Sequence, residues 1–341
     1  MGTMARTLRI PSAGLRIAPD LQRLQLEELD LENNRLQTLE NLPLSLKRLN
    51  VSHNAFLNDG IFYPFPVLEH LNISHNRVNI FEEDDFLACF PSLVSLDFSY
   101  NCLKQVKFLQ DSNLTNLNVS HTRLQTLYGL PRSTKELDAN SCSITMVQSK
   151  LPPTLEFLDL CYNSLRFAGL PLNWPNTLKE LHLDRNDIER FPRKLPDSLE
   201  VLTLSGNCLT ELPSRLPSSL RYCIVSGNRI RTLPDYKKTH RFQLFLIDDN
   251  CLTEIPETFP SIVFHTDSNW NETIHHESQG KIKQCWKRYL LRLRLRHYKR
   301  IRTVKEELFM VSMMPERWEQ IDALDPIWFR KSQPRNHTDP H

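Results

Sequence analysis

Imidazole and phenol side chains recur almost regularly in this chain. His53, His75, Tyr100, His121 and Tyr162 each stand just before one recurring position, and Arg185 continues the column. Imidazole titrates near neutral pH, so such a column can make binding pH-sensitive. Aromatic and arginine side chains are also favoured anchors at protein interfaces. A plainer reading is a repeated Ser-His-Asn or Ser-Tyr-Asn consensus with no target. Catalysis would need further groups, and the sequence lacks a Gly-x-Ser-x-Gly elbow, a His-Glu-x-x-His pair and a glycine-rich phosphate loop; glycine totals only 8. His275, His276 and Glu277 come nearest to a ligand cluster, but adjacent side chains point apart, so they read as a solvated linker. The expectation is no enzyme, no cofactor, no metal and no small-molecule substrate.

The element that would position such a column is a repeat. Sliding the template L-x-x-L-x-L-x-x-N-x-L along the chain finds Leu26, Leu29, Leu31, Asn34 and Leu36, then Leu46, Leu49, Val51, Asn54 and Phe56, then Leu68, Leu71, Ile73, Asn76 and Val78. Further matches centre on Asn101, Asn163, Asn186, Asn207, Asn228 and Asn250, with Thr122 and Cys142 as weaker copies, Ala13 at the start and Asn269 at the end. The spacing stays between 19 and 25 residues, giving some thirteen units up to about residue 270. In L-x-L the two leucines share one face of a short strand. One unit cannot bury them alone, so neighbours must stack around a continuous core. An asparagine amide both donates and accepts and suits a bridge between turns, which predicts a weaker bridge at Thr122 and Cys142.

This pattern closely resembles the leucine-rich repeat over about four fifths of the chain. The resemblance implies a horseshoe-type α/β repeat solenoid, mostly β, with a parallel sheet on its concave side. The return arms carry Leu42-Pro43, Leu130-Pro131, Leu151-Pro152, Leu195-Pro196, Leu212-Pro213, Leu216-Pro217 and Leu233-Pro234. Proline disfavours helix at itself and at the residue before it, so these arms are expected to be extended, without helices. The L-P-x-S-L spacing is similar to the short repeats of certain bacterial effector proteins. Those proteins also carry a ubiquitin-ligase domain with a catalytic cysteine. Only residues 271–341 follow the repeats here, and Cys285, in QCWKR, lacks that domain's cysteine-x-aspartate context, so the activity is not carried over.

Repeat proteins bind through the concave surface, so the residue between the two strand leucines matters most. That column runs Arg9, Asp30, Asn50, Asn72, Asp97, Asn118, Asp138, Asp159 and His182, then Thr203, Ile224 and Leu246. Flanking positions follow the same trend, from Glu28, Glu32, Glu136 and Asp184 to Val201, Tyr222, Leu244 and Val263. The inner face is therefore acidic and polar first, apolar last. An open strip of Tyr222, Ile224, Leu244, Leu246 and Val263 would need a cover, either a protein partner or the chain's own tail.

Net charge is +2, which announces no partner, and no apolar run is long enough to span a membrane. The start, MGTMARTLRI, lacks the apolar stretch of a secretory signal, and Arg6 stands where a myristoylation motif wants Ser or Thr. Cys102, Cys208 and Cys251 each follow a repeat asparagine, which puts even the closest two about 10 Å apart at a strand spacing of ~4.8 Å. That exceeds the reach of a disulfide, so reduced cysteines and an intracellular, cytoplasmic monomer are expected.

Residues 271–341 are of another kind. They hold 15 Lys and Arg against 9 Asp and Glu, whereas residues 1–270 hold 27 against 31. The basic charge concentrates in residues 281–305 and includes Lys287, Arg288, Arg292, Arg294, Arg296 and Arg300. Leu290, Leu293, His297, Ile301, Val304 and Leu308 fall at helical spacing, and neither Gly nor Pro occurs from 281 to 314. Such a helix can cap the last repeat, dock on the acidic inner face, or bind anionic lipid, nucleic acid or a calmodulin-like partner. Further on, Glu306, Glu307, Leu308, Pro315, Arg317 and Trp318 are similar to short tails on proteins of giant DNA viruses of amoebae, which would imply a host cytoplasm. The reading reached is a non-catalytic scaffold for a protein partner, with a solenoid over 1–270 and a basic cap and tail over 271–341. The alternative is an anionic-membrane or nucleic-acid tether through 281–305.

Overall fold

The computed structural model describes residues 6–252, apart from 80–82, 149, 193, 235–241 and 248, together with Val263–Phe264. These lie in the first of the chain's two units, Met1–Glu272; the second is Thr273–His341. The strands are β1 (Thr7–Arg9), β2 (Glu28–Asp30), β3 (Arg48–Asn50), β4 (His70–Asn72), β5 (Ser95–Asp97), β6 (Asn116–Asn118), β7 (Thr126–Leu127) and β8 (Glu136–Asp138). They continue as β9 (Met146–Val147), β10 (Phe157–Asp159), β11 (Glu180–His182), β12 (Val201–Thr203), β13 (Tyr222–Ile224), β14 (Leu244–Leu246) and β15 (Val263–Phe264). All but β7 and β9 join one 13-stranded sheet in chain order, and those two pair separately. Every pairing is parallel.

Register follows the leucine template. Leu29 pairs with Leu49, Leu49 with Leu71, and the line continues through Leu96, Leu117, Leu137, Leu158, Leu181 and Leu202 to Cys223 and Phe245. All of these are buried, as are the next leucine-type positions, Leu31, Val51, Ile73 and Phe98 among them. Each such side chain contributes about 1.5–3 kcal/mol relative to exposure. The two strand residues flanking each buried one share the opposite, concave face, as the two-residue period requires.

Asparagine closes each turn onto the one before. Asn76 donates to the carbonyls of Val51, Ile73 and Ser74 while its Oδ1 accepts from the Phe56 amide at 3.0 Å. Asn101, Asn163, Asn186, Asn207 and Asn228 repeat the scheme. The bridge thins where the template predicts it. Thr122 Oγ1 donates to Val119 of its own turn and meets the next turn only at the Cys142 thiol, 3.3 Å away, and that thiol also reaches Val119 at 3.3 Å.

The L-P-x-S-L spacing has a structural purpose that the sequence left unstated. Hydroxyls of Ser45, Ser133, Thr154, Thr177, Ser198 and Ser219 donate to carbonyls of the preceding turn, Leu26, Leu114, Thr134, Leu155, Leu178 and Leu199 respectively. The return arms are extended for the most part, but the expectation of no helix there fails at one place. A seven-residue helix, α1 (Glu83–Cys89), fills the longest unit, and one-turn 3-10 helices occupy Asn58–Ile61, Lys107–Leu109 and Phe167–Gly169. The 25 residues between Asn76 and Asn101 leave slack that a helix takes up by sending Phe86 into the core, with Phe90 buried just after it.

Candidate protein-binding face

Two surfaces gather the residues singled out in the sequence. The first is the concave column, in register from Asp30 through Asn50, Asn72, Asp97, Asn118, Asp138, Asp159, His182, Thr203 and Ile224 to Leu246. Over β2–β5 its members are half-buried and reachable. Asp30 Oδ1 accepts from Asn50 Nδ2 at 3.0 Å, and Arg48 pairs with Glu28 at 2.6 Å. From β6 onward most of the column closes, although Asp159 stays half-buried. Asp138 is buried, His182 and Thr203 are 2% and 1% exposed, and Tyr222, Ile224 and Leu244 fall to 6%, 5% and 0%.

Tyr222, Ile224 and Leu244 of the apolar strip over β13 and β14 are thus covered. Neighbouring strands supply part of that cover. The Tyr222 hydroxyl, for example, bonds Gln243 Oε1 at 2.5 Å, and the Phe157 ring lies 5.3 Å from that of His182. Leu246 remains half-buried. Val263 lies in β15, and the basic residues Lys287, Arg288, Arg292, Arg294, Arg296 and Arg300 and the motif from Glu306 to Trp318 lie outside the described residues.

At the closing edge the charged groups form one network. His182 Nδ1 lies 3.2 Å from Thr203 Oγ1, which donates to Asp184 at 2.5 Å, and Asp184 also accepts from the Ser205 amide. Burial pushes Asp159 up to about 6, the nearby Asp138 adding to the rise and His182 opposing it. Asp184 is raised by burial as well, against the bonds from Thr203 and Ser205. Burial pulls His182 down, but Glu180, Asp159 and Asp184 together outweigh it and raise the imidazole above its ordinary value. Among the described residues no group of three or more His, Cys, Asp or Glu is arranged to hold a metal ion.

The second surface is the edge where each strand turns away. One equivalent position in each of these turns has positive φ: Asn33, His53, His75, Tyr100, His121, Ser141, Tyr162 and Arg185, all between 52° and 56°, then Gly206, Gly227 and Asp249. Left-handed backbone excludes most side chains but is several-fold enriched in Asn, Asp and His, which explains part of the histidine column. It does not explain the ring geometry. His53 stacks on His75 at 3.8 Å, His75 on Tyr100 at 4.0 Å and Tyr100 on His121 at 4.0 Å, with interplanar angles of 11–14°. His53, Tyr100, His121 and Tyr162 are exposed and His75 is half-buried. Partial burial lowers His75, as do its neighbours His53 and His121; burial also lowers His121, against the pull of Asp138. The sequence marked these residues as a column, and the ring distances reveal that four of them, His53, His75, Tyr100 and His121, form a continuous stack.

The arrangement of turn, asparagine bridge and parallel concave sheet defines a leucine-rich-repeat solenoid. The profile described as Leucine Rich Repeat matches residues 198–220. Rabbit (Oryctolagus cuniculus) lumican is 31% identical over 174 residues, which takes in 49% of this chain and 80% of lumican. The chain therefore belongs to the leucine-rich-repeat family. It spans a smaller part of longer relatives, 21% of the mouse transforming growth factor beta activator and 24% of a chicken Toll-like receptor 2. Among solved structures, YopM from Yersinia enterocolitica is similar with 28% identity and a TM-score of 0.53, over 70% of this chain and 55% of that one. The leucine-rich-repeat domain of APL1B gives 25% identity and a TM-score of 0.63, over 72% and 76%. Proteins of this family are typically protein-interaction scaffolds.

Proposed function

We propose that this chain is a non-catalytic scaffold that holds a partner protein against the accessible half of its concave face, over β2–β5, and along the adjoining ring stack. The observation that carries this reading is the accessible polar column Asp30, Asn50, Asn72 and Asp97 beside four exposed or half-exposed stacked rings. Polar side chains in fixed register supply directional hydrogen bonds, and flat rings supply contact area at low entropic cost.

The test is a binding measurement on the partner captured from lysate. The double substitution Asn72→Arg with Asp97→Arg should weaken it at least tenfold, while Leu172→Arg on an exposed outer loop leaves it within about twofold. Equal binding by both variants, combined with steep loss in salt, would transfer the function to the basic residues 281–305.

A further inference from the structure

Four consecutive return arms enclose a cavity of about 950 Å³, with no residue of the 13-stranded sheet in its lining. The two inner arms contain β7 and β9, which pair side by side, and they contribute the floor from Tyr128 and Gln148 onward. The outer arms contain the 3-10 turns Lys107–Leu109 and Phe167–Gly169 and contribute residues 110–113 and 173–176. Two glycines let the arms close on one another. A Cβ at Gly129 would stand 2.9 Å from Lys107 Cα, and one at Gly169 would run into the Thr145 carbonyl oxygen. The outer arms are three turns apart, ~14 Å at a strand spacing of ~4.8 Å, which is room for one extended chain.

The lining offers donors that the described residues do not use. Trp174 is 7% exposed and its ring packs on Phe191 at 6.4 Å, yet its indole N–H is covered and has no hydrogen-bond partner among the described residues. Indole can only donate, and a buried donor without an acceptor is exceptional in a folded protein. Arg132 and Lys150 can also only donate; both are exposed, and their side chains have no partner among the described residues. Against these three, Asp111 is the one side chain of the lining that can only accept. The apolar part of the lining includes Tyr128, 50% exposed, with Pro152, Pro153 and Pro175.

A ligand that fits has many acceptors, few donors and flat apolar faces. A proline-rich segment meets all three conditions. Each proline removes a backbone N–H and leaves the carbonyl, and the polyproline II backbone has no internal hydrogen bonds and is extended before it binds. Aromatic-lined grooves take such segments. An ordinary extended segment brings an N–H with every residue and gains less from a donor-rich lining.

We propose that this cavity is a second protein-binding site, for a proline-rich segment of a partner, with pyrrolidine rings on Tyr128 and carbonyls on the unbonded donors of the lining. It stands independently of the concave-face reading. Leu172, although next to Asn173, is outside the lining.

The experiment follows the Trp174 indole N–H and the Tyr128 ring of the isotope-labelled full chain by NMR, with the indole signal assigned by Trp174→Phe. The probes are acetyl-pentaproline-amide, acetyl-pentaalanine-amide and, as an acceptor-rich ligand that is not a peptide, cellotetraose. The proline peptide should move both signals along one saturable curve, at least about fivefold tighter than the alanine peptide. Tyr128→Ala, at an exposed position, should weaken it at least about fivefold while leaving the melting temperature unchanged. Asn72→Arg with Asp97→Arg should leave it within about twofold, which separates this site from the concave face. Equal binding of the alanine peptide, tighter binding of cellotetraose, an unshifted Trp174 at saturation, or full affinity in Tyr128→Ala would each overturn the proposal. Loss of the peptide in the concave variant would move it to that face and overturn the proposal as well.

Discussion

The two halves of the concave sheet share one backbone and one hydrogen-bonding scheme, yet they present different chemistry. Over β2–β5 the in-register column is Asp30, Asn50, Asn72 and Asp97, half-buried and reachable. Over β11–β13 the same column is His182, Thr203 and Ile224, and none is more than 5% exposed. The repeat therefore fixes where side chains stand and leaves their accessibility to their size and neighbours. A solenoid can hold a binding half and a closed half without any change of fold.

The sharpest way to break that contrast is to place a charge in each half. Ile224→Asp puts a carboxylate at a buried apolar position, and should cost about 3 kcal/mol or more. Asn72→Asp in the accessible half should stay within about 0.5 kcal/mol. Urea midpoints at constant slope measure both, and equal losses would mean that the halves do not differ.

A smaller effect separates the strong and weak turns of the asparagine bridge. Asn76→Ala leaves the Phe56 amide and three carbonyls without their partner and should cost about 2–3 kcal/mol. Thr122→Asn should gain about 1 kcal/mol by restoring the bond that the Leu103 turn lacks. A destabilised Thr122→Asn would show that the gap is filled by a packing requirement instead.

The smallest effect is a difference of sign. Asp159 rises from 3.8 to about 6, so the folded chain keeps a proton that the unfolded chain has lost, and this contribution to stability falls as pH climbs through that window. His182 is raised too; its contribution is complete below 6.5 and is lost as pH rises through the folded value. His75 and His121 are lowered, so the ring stack behaves oppositely and is weakened as pH falls from 6.5 through their folded values. Proton NMR titration should place His182 above 6.5 and His75 and His121 below it, and Asp159→Asn should flatten the loss of stability between pH 4 and 6. A common midpoint for the three histidines would contradict the distinction.

Most of the fold was legible in the sequence because its period is dictated by burial. Leu29, Leu49 and Leu71 recur because a strand position that faces the core tolerates little else, and Asn34, Asn54 and Asn76 recur because only a side chain that donates and accepts can join two turns. Helix α1 was not legible, since its cause is slack in one long unit and not a helical pattern. The binding face was legible as columns of residue types and not as surface. The alternation of a strand put Tyr222 and Ile224 on the concave face and says nothing about how far they are covered there. The ring stack was visible as spacing, but the contact of its rings required the structure, since residue order does not give ring-to-ring distance.

The central claim, that the accessible concave half holds the partner, is tested most directly by site-specific photocrosslinking. A photoreactive phenylalanine analogue is placed singly at Asn72, at Asp97 and, as the outer control, at Leu172. The account predicts a crosslink to one and the same partner from Asn72 and Asp97 and none from Leu172. A crosslink from Leu172 with silence at both concave positions would contradict it.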